Sequence, residues 1–249
     1  MDAAPLEVLR AASRPTASLP APPRLLIAGA TGALGEAVLR RLVGLHRYAS
    51  TAVLAREAMS TGVRGVVMHQ VPEAPPDGWP LIAADIGIVL FDPPRLFHDR
   101  ERALWAPLPA QLVALAGWMR AGGVSTLAVV MPHAQGRLPE ALKRGLASLD
   151  EEAVAGMGFE RLLFVRSARK PDAAPAGGPL QSVAQWMLSV GRFMVPASEQ
   201  PVRAASVAEL LALALEWAPA GIHVAAPELV WQASQGRATQ VVRHWLGAA

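Results

Sequence analysis

Three glycines spaced three residues apart, Gly29, Gly32 and Gly35, are the part of this chain best suited to chemistry. An apolar run of strand length, residues 25–28, leads into them. From Ala33 the pattern becomes helical, with Leu34, Val38, Leu39 and Leu42 on one face. A strand-to-helix turn this tight needs a residue without a Cβ, which suits Gly29. Gly32 lets the backbone approach a diphosphate, and Gly35 lets the helix lie close on the strand. The free N–H groups and positive end of a helix starting near Ala33 would then face phosphate oxygens. The expected contact set is Gly29, Ala30, Thr31, Gly32, Ala33, Leu34 and Gly35. That chemistry is dinucleotide binding; a strand-to-helix turn that is merely glycine-rich is the alternative.

Further along, Arg56 ends a second strand read over residues 50–56. At that place an acid accepts from a ribose 2′-hydroxyl, whereas an arginine accommodates a 2′-phosphate. Arg56 therefore points to NADP rather than NAD, with Glu57 working against it and an exposed strand-end arginine as the alternative. Phe91 and Asp92 end the fourth strand and complete the cofactor-binding set. Asp92 is either a base or a cap on the turn made by Pro93 and Pro94. His133 follows the fifth strand, at the sheet edge where such folds bind ligands, and histidine titrates in the range a general acid needs. An ordinary polar loop residue is the alternative. Arg166 would bind an acidic group or pair with Asp92. His69, His98, His223 and His244 have no spacing suited to a metal, and no Gly-x-Ser-x-Gly nucleophile occurs.

These residues need elements to position them. Strands are predicted over residues 25–28, 50–56, 63–69, 85–91, 125–131, 160–165 and 222–225. Helices are predicted from 33, over 108–121, 138–156, 181–193 and 207–217, and over 240–246 at the end. Ser206 is the expected N-cap of the fifth of these, with Glu209 at N3 as a capping box. A proline-rich loop, residues 72–80, stands where a crossover helix would usually lie. Strands alternating with helices at this pace specify an α/β fold, a doubly wound parallel sheet of the Rossmann type. Residues 1–23 read as an extended arm, 24–170 as the dinucleotide-binding core, and 171–249 as a small substrate-side annex of the same domain.

Composition narrows the classes. Of the 249 residues, 52% are hydrophobic and 17% charged, which supplies a core and argues against wholesale disorder. Cysteine is absent, so no disulfide framework, thiolate site or cysteine nucleophile exists. No basic start followed by an apolar stretch marks a secretion signal, and Glu209 and Glu216 interrupt the longest membrane-span candidate. A cytoplasmic location is the expectation. The net charge is only +3, and Arg40, Arg41, Arg100 and Arg102 read as solvated helix faces, so neither nucleic acid nor membrane is an expected partner. A small-molecule substrate or none, and a homodimer, fit the sequence.

With those residues in place, the chain resembles the atypical, NAD(P)H-binding branch of the short-chain dehydrogenase/reductase superfamily, the epimerase/dehydratase-like kind. Gly29 to Gly35 read G-A-T-G-A-L-G, similar to that branch's G-A-T-G-x-x-G. Residues 85–95, 158–167 and 200–215 resemble its fourth strand, its later Arg-Pro segment and the segment leading into a Val-Ala helix. The resemblance implies a Rossmann fold, a nicotinamide dinucleotide and oxidoreductase-like chemistry. It also implies a serine, a tyrosine and a lysine four residues beyond it, and these are missing. The fifth strand ends Met131-Pro132-His133, the only tyrosine is Tyr48, and the tyrosine and lysine slots fall near Lys143 and Ala147. Three functions follow from that contrast: an NADP-preferring oxidoreductase with displaced groups, a non-catalytic dinucleotide-binding redox sensor or partner subunit, and a scaffold that kept the fold and lost the cofactor.

Overall fold

A computed structural model describes residues 21–92, 99–133, 148–168 and 202–247. The first half holds β1 (Arg24–Ala28), α1 (Gly32–Gly44), β2 (Ser50–Ala55), β3 (Val66–Gln70), β4 (Ile86–Leu90), α2 (Asp99–Arg102), α3 (Leu112–Ala121) and β5 (Thr126–His133). The second holds α4 (Leu149–Ala155), β6 (Arg161–Ala168), α5 (Ala204–Trp217), β7 (Gly221–Ala225), α6 (Pro227–Gln232) and α7 (Ala238–Leu246).

The seven strands form one sheet in the order β3-β2-β1-β4-β5-β6-β7, and every neighbouring pair is parallel. β1 lies inside the sheet and is covered on both faces, so it is apolar without interruption, as buried parallel strands are. Its pleat sends Leu25 and Ile27 into a core with Val38, Leu42, Val207 and Leu211, under α1 and α5. Leu26 and Ala28 face a second core with Leu115, Met119 and Phe164, under α3. The doubly wound expectation holds. Chain order reverses at β1, where β2 lies on one side and β4 on the other, and ligands bind at the carboxyl ends beside such a reversal.

Several boundaries move. β3 starts at Val66, because residues 63–65 turn through Gly65 at φ +80°. α3 starts at Leu112, since a 3₁₀ turn (Pro109–Gln111) takes up the predicted first turn. β5 and β6 run on to His133 and Ala168, so Arg166 and Ser167 are strand residues. The Ser206 capping box does not form. α5 already begins at Ala204 with Arg203 at its N-cap, and the Ser206 N–H donates to the Arg203 carbonyl at 2.9 Å. Helix α6 was not predicted; Pro227 at its first position was the available signal. Of the predicted 138–156 helix only Leu149–Ala155 falls within the described residues. The 181–193 helix, Lys143, Ala147 and nearly all of the arm lie outside them. Between β3 and β4 a short 3₁₀ turn (Pro76–Gly78) replaces a helix, and buried Trp79 packs edge-on against Trp105 and Trp118. Among the described residues no helix is long and apolar enough to cross a membrane.

Candidate functional site

The turn after β1 is built from backbone that only glycine tolerates. Gly29 and Gly32 have φ of +84° and +67°, in the left-handed region. A Cβ on Gly29 would also lie 2.0 Å from the Leu90 carbonyl oxygen and 2.9 Å from Pro107 Cδ. A Cβ on Gly35 would lie 2.4 Å from the Ala30 carbonyl carbon, so α1 sits directly on the strand end. The turn stands at the carboxyl end of β1, where the strand order reverses. This is a Rossmann fold. Its glycine turn aims the first amides of a thirteen-residue helix at the carboxyl edge of the sheet.

Those amides are in use. Thr31, fully buried and extended (φ −99°, ψ 166°), occupies the N-cap of α1 but does not cap it; its hydroxyl donates to the Asp92 carbonyl. The first turn of α1 has no acidic residue of its own. Carboxylates arrive from elsewhere in the chain. Gly32 N–H donates to Glu101 Oε2 at 3.0 Å, and Leu34 N–H donates to Asp92 Oδ2 at 2.9 Å. Both satisfy orphan amides and sit in the favourable field of the helix N-terminus. Asp92 thus caps α1; the alternative turn at Pro93 and Pro94 lies outside the described residues. Anionic oxygens stand on the cradle amides, which is the chemistry the turn needs to hold a diphosphate.

Glu101 belongs to a strap, residues 99–107, laid across the carboxyl ends of β1 and β2. Leu104 forms an antiparallel bridge with Ala55, Trp105 N–H donates to the Leu54 carbonyl at 3.0 Å, and Arg56 N–H donates to the Ala103 carbonyl at 2.7 Å. The Trp105 indole is 8% exposed and meets Trp79 with ring centres 5.0 Å apart. Sequence reasoning missed Glu101 because it lies within a run of charges, Asp99 to Arg102, that reads as a solvated face. No local signal marks it; its partner is 69 residues away.

The remaining candidates are dispersed. Arg56 follows β2, exposed, and lines a cleft of about 350 Å³ with Glu73, Trp105 and Gln111. Gln70 donates to its carbonyl at 3.1 Å. Ala30 and Phe91 are buried, Ala33 is exposed and Leu34 half-buried. His133 is the last residue of β5, in register with Ala168. Arg166 is a buried residue of β6. It forms a 2.8 Å ion pair with Glu151 on α4, and their side chains are 2% and 4% exposed, so this guanidinium serves the interior. Tyr48, after α1, packs against the core, and burial pushes its phenol above the ordinary range. At the opposite edge of the sheet, Arg24 holds the Asp85 carboxyl below the usual carboxylate range through hydrogen bonds of 2.7 to 3.1 Å.

No protein-family model matches the chain, and no curated protein matches it. Solved structures do. The Bordetella bronchiseptica enzyme WbmG in complex with NAD is similar at 14% identity, over 94% of this chain and 81% of that one, with a TM-score of 0.45. MoeE5 in complex with UDP-glucuronic acid and NAD is similar at 13% identity, over 81% and 75%, with a TM-score of 0.46. Glucuronic acid dehydrogenase from Chromohalobacter salexigens is similar at 14% identity, over 82% and 76%, with a TM-score of 0.46. The strand order itself carries the fold.

Proposed function

We propose that this chain is a nicotinamide-dinucleotide-binding Rossmann protein of the atypical short-chain dehydrogenase/reductase type, NADP(H)-preferring and without Tyr-x-x-x-Lys chemistry. One observation carries the reading: the amides of Gly32 and Leu34, opened by left-handed glycines at the switch point, already hold anionic oxygens. The same amides, with Gly29, Ala30, Thr31, Ala33 and Gly35 shaping the turn, would hold the diphosphate; Phe91 and Asp92 would border it. Arg56 would face the adenosine 2′-phosphate from the 350 Å³ cleft at the end of β2. A nicotinamide bound here would supply hydride transfer. Binding is the function proposed. Titration calorimetry tests it: NADPH should bind more tightly than NADH, and Arg56→Ala should remove the difference. Equal affinities in the parent protein would dismiss Arg56 as the selector.

A second reading, a scaffold that keeps the fold and leaves its cradle permanently closed, is favoured by the anchoring of the strap through Trp105. Absence of binding by either dinucleotide would decide for it.

A further inference from the structure

We infer that Glu101 is a built-in competitor of the dinucleotide, so that the affinity of the site is set by how often the strap lifts; this rests on the dinucleotide reading above. Gly32 N–H can serve one anionic oxygen at a time. Its present partner is the Glu101 carboxylate at 3.0 Å, in a buried hydrogen bond. A carboxylate on a helix N-terminal amide is a charge-assisted contact, shorter and stronger than a neutral one. A second carboxylate, Asp92, lies on Leu34 N–H two residues further along. A diphosphate approaching the turn therefore meets two negative groups on the amides it requires, and both must yield.

The strap is held by more than Glu101. Its backbone pairs with the carboxyl end of β2 through Leu104 and Trp105, Trp105 is packed against Trp79, and Pro107 closes over Gly29. The closed arrangement is thus a defined state, with its own hydrogen bonds and core contacts. A ligand that binds only the open state has its affinity multiplied by the open fraction, and so reduced. Removing the charge of Glu101 weakens the closed state and leaves the glycine turn intact, so binding should tighten. The chain then carries its own brake on loading, and whatever displaces the strap, another protein or a high dinucleotide level, would release it.

The test compares the parent protein with Glu101→Gln and Glu101→Ala in NADPH calorimetry, with amide hydrogen exchange at Gly32 measured without ligand. Both variants should bind NADPH at least about tenfold more tightly, equivalent to about 1.4 kcal/mol. The Gly32 amide should exchange faster in both and be protected again by NADPH. Equal affinities, or unchanged exchange, would overturn the competitor and leave the dinucleotide reading standing. Weaker binding in the variants would make Glu101 a supporting residue, which also overturns it. No binding by any form, folded by circular dichroism, would overturn both readings. Should neither Glu101 variant fold, Asp92→Asn carries the same comparison with Leu34 as the reporting amide.

Discussion

Replacing Glu151 with alanine should be among the most destabilising single changes in this protein. Its carboxylate and the Arg166 guanidinium are 4% and 2% exposed and 2.8 Å apart, so the change removes one partner of a buried ion pair. Breaking a buried pair from one side costs about 3–5 kcal/mol. A lost helix-dipole contact in the first turn of α4 adds at most about 1 kcal/mol, and exposed Asp150→Ala isolates that contribution. Total stability of a domain is about 5–15 kcal/mol, so about a fifth or more is at stake. With a urea slope near 2 kcal/mol per molar, the midpoint should fall by about 2 M. Urea unfolding followed by tryptophan fluorescence gives the number. The double replacement Glu151→Leu with Arg166→Met should recover most of the loss, because an apolar pair needs no desolvation. A midpoint shift below about 0.5 M for Glu151→Ala, or a double variant no better than the single, would refute the argument.

Gly35→Ala should destabilise despite alanine's better helix propensity, which is worth about 1 kcal/mol. The added Cβ meets backbone of Ala30 at 2.4 Å, and backbone cannot turn aside, so a net loss of about 3 kcal/mol is expected in the same urea assay. An unchanged midpoint would mean that α1 can slide off the strand. Tyr48, the only tyrosine, can be followed alone by phenolate absorbance. Burial raises its ionisation above the ordinary value, so it should titrate later in the folded protein than in urea. Its contribution to stability is complete below about pH 10 and declines as pH rises through the folded value. Coincident titrations would show the ring to be solvated.

Much of the frame could be read from single segments. β1 reads as an uninterrupted apolar run because it is covered on both faces, and Gly29 and Gly32 after it have left-handed conformations that other residues rarely adopt. The same logic placed β4, β5 and α5, whose apolar residues carry their own periodicity. What escaped were partnerships between distant stretches. α1 draws its caps from 58 and 69 residues away, and nothing near Thr31 announces them. Arg166 looked available because its partner lay in an acidic run, Asp150 to Glu152, where only one of three side chains turns inward. The Ser206 box failed for the converse reason: a correct local motif was overridden because the helix had already begun at Ala204.

Trp105 and Trp118 each stand edge-on to Trp79, with ring centres 5.0 and 5.4 Å from it. Indoles at that separation share their excited states, which gives the native fold a chiral optical band in the near ultraviolet. Of the three, Trp105 alone lies on the segment that crosses the carboxyl ends of β1 and β2, so displacement of that segment would carry its own spectroscopic label, with no dye attached.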